Sequence, residues 1–438
     1  MPLRSFFCHV LAVLAPLISL AHAQTADFTT TFNFGVNGVN VVAKATGDIA
    51  ADSAGNLYGA GFDLNNEYIV YELSPTNDST GSWTASILFK FNGTTQGSAP
   101  ESGLILDSQG NLYGTTFSGG SGPCMFGGCG VVFELSPSGG SWTQTVLYNF
   151  QGGADGANPS YSTLALDAEG NLYGTTNFGG GTGCLKQGCG VLFRLTPPSQ
   201  AGGSWTEAVL HRFGKVTGTQ PAGKLLYFQG KIYGTTAYGG QYDAGTVYMS
   251  NLKRKVTVLH SFNPDTDGFN WFPGGVAADS SGNLYGFTYN SMWNEGAVFE
   301  LTNNGGNWLE TLLYTFTGFG DGGYPSGVPL LDDAGNLYGS SGEGGDLSKC
   351  VWAGKYHGCG VVFKLMPAAG GWTETVLHAF TDGMTPQDDD GAFPFGVVFG
   401  PGQKLYGITA AGGTGRSGAC YNERGVLFGC GVAFRLAQ

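Results

Sequence analysis

The chain has 438 residues, only 12% of them charged, and a formal net charge of −13 at pH 7. An acidic surface repels phosphate backbones, which argues against nucleic acid as a partner. Glycine, at 77 residues, is too frequent for a helical protein, and it recurs at fixed positions without a Gly-X-Y period, so it marks turns and bulges rather than collagen or disorder.

The first segment holds Arg4, an apolar run over 6–20, and Ala21-His22-Ala23 before Gln24. This reads as a signal peptide over 1–23, removed after Ala23; the run is too short and wrongly flanked to span a membrane. Cys8 lies inside it, and no lipoprotein-type signature surrounds a cysteine at the cleavage point. No later stretch is long and apolar enough for a transmembrane helix. The mature chain, 24–438, is expected to be one domain, exported, soluble and monomeric.

That mature chain repeats itself. A Gly-Asn-Leu-Tyr-Gly phrase or a close variant centres on Tyr58, Tyr113, Tyr173, Tyr233, Tyr285, Tyr338 and Tyr406, at intervals of 55, 60, 60, 52, 53 and 68 residues. A period of this size signals a solenoid, a propeller or an array. The copy over 142–195 shows the unit. An aromatic and β-branched strand over 142–150 is followed by a Gly/Asp/Pro loop and a short strand over 162–166. The tight turn Asp167-Ala168-Glu169-Gly170 leads to a strand over 171–176 and, after a loop, a last strand over 190–195. The aromatic strand ends at Phe34, Phe91, Phe150, Phe213, Phe262, Phe316 and Phe380. The Val-Val-Phe-Glu-Leu type of strand falls near Tyr71, Phe133, Phe193, Tyr248, Phe299, Phe363 and Phe434. No segment has a helical period of apolar residues.

Four strand types, each occurring seven times, predict an all-β fold, a seven-bladed β-propeller of four-stranded antiparallel blades. The mature chain opens on the aromatic strand and closes on the Val-Ala-Phe-Arg-Leu strand. The N-terminal strand is therefore expected to complete the last blade, closing the ring and removing exposed edges. A β-solenoid is the alternative, but its coils are shorter and lack this four-strand grammar.

Eight cysteines remain in the mature chain as close neighbours: Cys124 with Cys129, Cys184 with Cys189, Cys350 with Cys359, and Cys420 with Cys430. Their spacing suits local disulfides in an oxidising compartment and lacks the ligand pattern of a zinc site. Each loop is small, so each bridge removes only about 2 kcal/mol of unfolded-state entropy and serves mainly to hold loop shape.

The phrase Gly-Asn-Leu-Tyr-Gly-Thr-Thr, a Gly-Gly pair, Gly-Val-Val-Phe-x-Leu, and Leu-Tyr-x-Phe followed by Asp-Gly-x-x-Pro together resemble the GloVer tandem repeats of secreted bacterial proteins described as having a choice of anchor. The resemblance covers nearly all of the mature chain. It is strongest over 111–150 and 171–213, and weakest in the first copy and around Lys231 and Lys404. It implies export and a repeat scaffold, with no defined activity. Relatives often carry a C-terminal anchoring segment; this chain stops two residues after its last strand, so a free periplasmic or extracellular protein is expected.

In an up-and-down blade, alternate loops share one face, so the Asp-Gly-x-x-Pro and cysteine-stapled loops are expected on one rim, where function usually lives. Acids gather there: Asp155, Asp265, Asp267, Asp321, Asp388, Asp389 and Asp390. Calcium is the one ion these loops suggest, at Asp265, Asp267 and Asp321, but Asp265-x-Asp267-Gly268 lacks the further ligands of an EF-type loop. Asp before Gly is also plain turn chemistry, and that reading is favoured, with the run Asp388, Asp389 and Asp390 as the exception. No other cofactor is called for. Aromatics gather in the later repeats, Trp271, Phe272, Tyr289, Trp293, Trp352 and Tyr356, and rings at a rim can stack on sugars or peptides; large loops also bury their own aromatics.

Histidine does not point to a hydrolytic centre. His211, His260 and His378 occupy the slot of Tyr148 and Tyr314, which marks a structural substitution, and only His357 stands apart. The turns read Asp-x-x-Gly-Asn, as at Asp107 and Asp167, and depart from the sialidase Asp box. The Gly-Gly pairs at Gly119, Gly179 and Gly239 resemble those of kelch blades but lack the kelch tryptophan. No catalytic residue is assigned. A secreted binding module for a glycan or an envelope protein is the first reading. A polysaccharide hydrolase or lyase using the Asp388 run with Asp321 or Asp267 is the second, and a structural surface protein without a ligand the third.

Overall fold

The computed structural model describes residues 26–36, 44–76, 83–125, 127–160, 162–184, 186–200, 202–253, 256–267, 274–289, 295–352, 355–356, 358–381, 390–414 and 429–437. These form seven four-stranded antiparallel sheets, the blades of a ring. The innermost strands, in chain order, are Lys44–Ala51, Ile105–Leu106, Ala165–Leu166, Thr219–Phe228, Val276–Ala278, Gly323–Leu331 and Ala392–Phe399. The described helical content is a single 3₁₀ turn, Pro401–Gln403. Among the described residues no helix is long and apolar enough to cross a membrane. The expected signal peptide, 1–23, lies outside them.

The ring closes as the order of strand types predicts. Strand Asp27–Asn33 pairs antiparallel with Val432–Ala437 and becomes the outer strand of the seventh blade. The expected strand over 162–166 is shorter, Ala165–Leu166. Thr163 leaves its own ladder, and its carbonyl accepts the Leu225 N–H of the next blade at 3.1 Å.

Ring packing explains the most persistent phrase. The glycine of each Leu-Tyr-Gly lies directly opposite the aromatic residue of the third strand, as Gly114 faces Phe133 and Gly174 faces Phe193. The ring lies flat across the glycine: a Cβ on Gly174 would sit 2.3 Å from Phe193 Cζ. Glycine is needed here for close approach. The phenylalanine ending each outer strand then meets the third-strand ring of the next blade edge-on, with centroids 5.3 Å apart for Phe91–Phe133, 5.1 Å for Phe150–Phe193 and 5.3 Å for Phe380–Phe434. Phe34, from the N-terminal strand, makes the same contact with Tyr71 at 5.9 Å and so joins the seventh blade to the first. Edge-to-face pairs add to the apolar burial of the blade interfaces.

The Asp-x-x-Gly-Asn turns are self-contained. Asp107 Oδ1 accepts the N–H groups of Gln109 and Asn111, and its Oδ2 accepts Asn111 Nδ2 at 2.8 Å and the Tyr113 hydroxyl at 3.1 Å. Asp52, Asp167 and Asp332 repeat this arrangement. These carboxylates build turns on the face opposite the stapled loops.

Candidate functional site

The two variable loop sets share one face: Gly180 N–H, in a stapled loop, bonds to the Gly153 carbonyl of the preceding Gly/Asp loop, and Gly345 N–H to the Phe319 carbonyl. Disulfides join Cys124–Cys129, Cys184–Cys189 and Cys350–Cys359. Cys430 is also disulfide-bonded, and Cys420 lies outside the described residues. The stapled cysteines position the next blade: the carbonyls of Cys129, Cys189 and Cys359 accept the N–H groups of Asn158, Gln220 and Phe393 at 2.7, 3.1 and 2.8 Å.

Each of those donors precedes a proline and has a positive φ, 54° at Asn158, 52° at Gln220 and 59° at Phe393; Tyr324 matches them at 55°. Left-handed backbone costs a non-glycine residue roughly 1–2 kcal/mol, and the blade interface holds all four there. This turn stands at or just before the inner strand of these four blades.

A funnel of about 570 Å³ opens, lined by residues of all seven blades. Tyr238 and Tyr289 stand on its wall, and Tyr289 packs on Tyr324 with ring centroids 4.8 Å apart. Tyr238 is 40% exposed. Gln220, Asn177, Ser326 and Glu101 supply polar groups, and Asn177 Oδ1 is buried without a hydrogen-bond partner. Burial pushes the Glu101 carboxyl above the usual carboxylate range, against the opposing hydrogen bond from Ser160 Oγ at 3.2 Å.

One ring of inner-strand positions, of which Asp48, Gly103 and Thr163 line the funnel, can be read from the ladders. Two residues before the partner of each repeat tyrosine stand Asp48, Gly103, Thr163, Lys224, Gly275, Val328 and Gly396. Two of the seven are charged. Burial holds the Asp48 carboxyl above its ordinary range, against the opposing Lys224 charge.

Of the residues expected at the site, Tyr289 lines the funnel. Trp271, Phe272, Trp293, Asp388, Asp389 and His357 lie outside the described residues. Trp352 and Tyr356 belong to the short strands Val351–Trp352 and Lys355–Tyr356, paired as a hairpin inside a stapled loop. Asp390 is engaged by His378 Nε2 at 2.8 Å and Thr381 N–H at 3.0 Å. Asp321 Oδ2 accepts the Tyr314 hydroxyl at 3.0 Å, and Asp155 Oδ1 the Tyr148 hydroxyl at 2.5 Å. Asp267 is bonded to His260 and Asn263, while the Asp265 N–H bonds Asn263 Oδ1. Asp267 and Asp321 serve different loops and are not brought together. Sequence reasoning missed Asp48, Glu101, Asn177, Gln220, Lys224 and Tyr238. The available signal was departure from the repeat: charged Asp48 and Lys224 stand where other copies carry Gly, Thr or Val.

A repeat-family model, the Gloeobacter/Verrucomicrobia repeat, matches residues 20–202 and again 127–353. The chain belongs to this family. The two overlapping matches to the Gloeobacter/Verrucomicrobia repeat span several blades each. No curated protein matches the chain in sequence. Among solved structures, a fungal alcohol oxidase of the AA5 family in complex with copper shares 14% identity and a TM-score of 0.52, covering 94% of this chain and 76% of its own. A protein of unknown function from Dyadobacter fermentans aligns at 12% identity with a TM-score of 0.41, covering 80% of this chain and 97% of its own. A gluconolactonase from Xanthomonas campestris aligns at 15% identity with a TM-score of 0.37, covering 72% and 93%. At these identities the first likeness speaks for the propeller fold alone, and the other two carry no argument.

Proposed function

We propose that this repeat propeller is an exported binding module that takes a neutral saccharide end into its central funnel. The carrying observation is the funnel itself: about 570 Å³, with Tyr238 and Tyr289 on its wall beside the amides of Asn177 and Gln220. Tyrosine rings offer apolar faces with a polar edge, and a few placed polar groups in a concave site are what orient a small ligand. The buried, unpaired Asn177 Oδ1 is an acceptor left for a donor such as a sugar hydroxyl. Few charges line the site, and Asp48 is offset by Lys224. Disulfides support an oxidising compartment, and residues 1–23 are assigned to the leader that delivers the chain there.

A second reading rests on a specific observation. Glu101 and Asp48 are two carboxyls in one cavity, both held above their ordinary range by burial, which suits acid–base work on a glycosidic bond. Affinity electrophoresis in gels of soluble polysaccharides, followed by assay of the retained polymer for new reducing or unsaturated ends, separates the readings. Retardation without cleavage supports the binding module. Cleavage abolished by Glu101→Gln supports the enzyme, and no retardation by any polymer removes the saccharide reading.

A further inference from the structure

Neighbouring blades meet at their outer strands in one small recurring construction. A ring near the end of one outer strand is capped by an acid from the following loop, and a glutamate from the next outer strand packs beside them. In two slots the ring is a phenol: Tyr148 with Asp155 and Glu207, and Tyr314 with Asp321 and Glu374. The ladders put His260 at the same position, opposite Val247 as Tyr148 is opposite Val132 and Tyr314 opposite Val298. There the acid is Asp267 and the glutamate Glu310.

We propose that His260, Asp267 and Glu310 form a binding site for a divalent first-row transition ion of the zinc type. Among the described residues this is the one group of three such side chains whose ligand atoms all lie within 4.8 Å of one another. His260 Nε2 stands 3.0 Å from Asp267 Oδ2 and 3.6 Å from Glu310 Oε2. Bonds of about 2.0–2.2 Å at a tetrahedral angle set ligand atoms about 3.3 Å apart, so these separations bracket what zinc requires. Glu310 Oε1 is buried without a hydrogen-bond partner, as are Glu207 Oε1 and Glu374 Oε1 in the phenol slots, so what sets this slot apart is the imidazole nitrogen within ligand distance of both carboxylates. One neutral imidazole and two carboxylates would bring two negative charges to a dication, leaving the pocket neutral. Calcium fits less well, since it takes six to eight oxygen ligands.

The other slots serve as internal controls. A phenol that donates to its acid offers no neutral nitrogen ligand. His378 keeps its acid, Asp390, but the glutamate position is filled by Phe28, stacked on the imidazole at 3.7 Å. His211 bonds a threonine, Thr217, and the strand facing it brings Val256. The blades joined by His260 and Glu310 are also ones whose loops, 239–245 and 289–296, carry no cysteines. An ion would staple outer edges where the disulfides of other blades are missing.

The test is titration of the chelator-stripped full mature protein with Co²⁺, read by visible absorption, with Zn²⁺ competition. One saturable equivalent with nitrogen/oxygen d–d bands, displaced by Zn²⁺, is expected. His260→Tyr, which restores the ring used in two other slots, should weaken uptake at least tenfold with the circular dichroism unchanged. Glu310→Gln should do the same, and His378→Tyr should leave uptake intact. No saturable uptake by the wild type, or uptake undiminished in both His260→Tyr and Glu310→Gln, would overturn the proposal.

Discussion

Replacing Glu374 by glutamine should remove part of the stability loss this propeller undergoes as pH rises from 5 to 8. Glu374 sits on the outer strand Gly371–Ala379, its Oε1 buried without a partner, close to Asp321. Burial, with the Asp321 charge added, lifts its carboxyl from 4.5 to about 8. Between those values the folded chain keeps a proton that the unfolded chain has released. The associated stability is therefore complete below pH 4.5 and is lost as pH rises towards 8. The full rise corresponds to at most ~5 kcal/mol at about 1.4 kcal/mol per unit. Screening by water at the open strand edge reduces this, and ~1–3 kcal/mol is the expected effect. Glutamine keeps the shape and never ionises. Urea unfolding of wild type and Glu374→Gln at intervals from pH 5 to 8.5 should give curves that agree at pH 5 and diverge upward, with the variant the more stable at pH 8.5. A constant difference across the range would refute the reasoning, because it would mean that Glu374 titrates alike in both states.

Three further outcomes follow from the packing. Tyr248→Phe should raise stability by ~1 kcal/mol in urea midpoints, since the hydroxyl is buried without a partner and five other blades carry phenylalanine there. Gly174→Ala should lower stability by ~1–3 kcal/mol, because the new Cβ meets the Phe193 ring at 2.3 Å, whereas alanine at the exposed turn residue Gly139, whose Cβ would meet nothing within 4 Å, should cost only its positive-φ strain. Replacing Cys124 and Cys129 together by serine should cost ~2 kcal/mol and speed amide exchange at Asn158, whose N–H is held by the Cys129 carbonyl.

Periodicity made the architecture legible. Tyr58 to Tyr406 counted the blades, Phe34 and the Leu436 strand announced the closure, and His211, His260 and His378 were correctly placed in the aromatic slot. The Asp-x-x-Gly-Asn motif announced a turn because its bonds are local. The funnel was not legible for the opposite reason. Asp48, Glu101, Asn177, Gln220 and Tyr289 come from five different repeats, and only ring closure brings them to one axis. Glu207, Glu310 and Glu374 likewise read as ordinary outer-strand polar positions. Their burial comes from the neighbouring blade, about fifty residues away in the chain, which no local pattern records.

The central claim is that the ligand enters the funnel and is gripped by its wall. The direct measurement is a glycan-array profile of the mature protein run beside Tyr238→Ala and Trp352→Ala. Binding lost in Tyr238→Ala and retained in Trp352→Ala is the predicted result. Binding lost in Trp352→Ala and retained in Tyr238→Ala would contradict it and move the site out to the stapled loops.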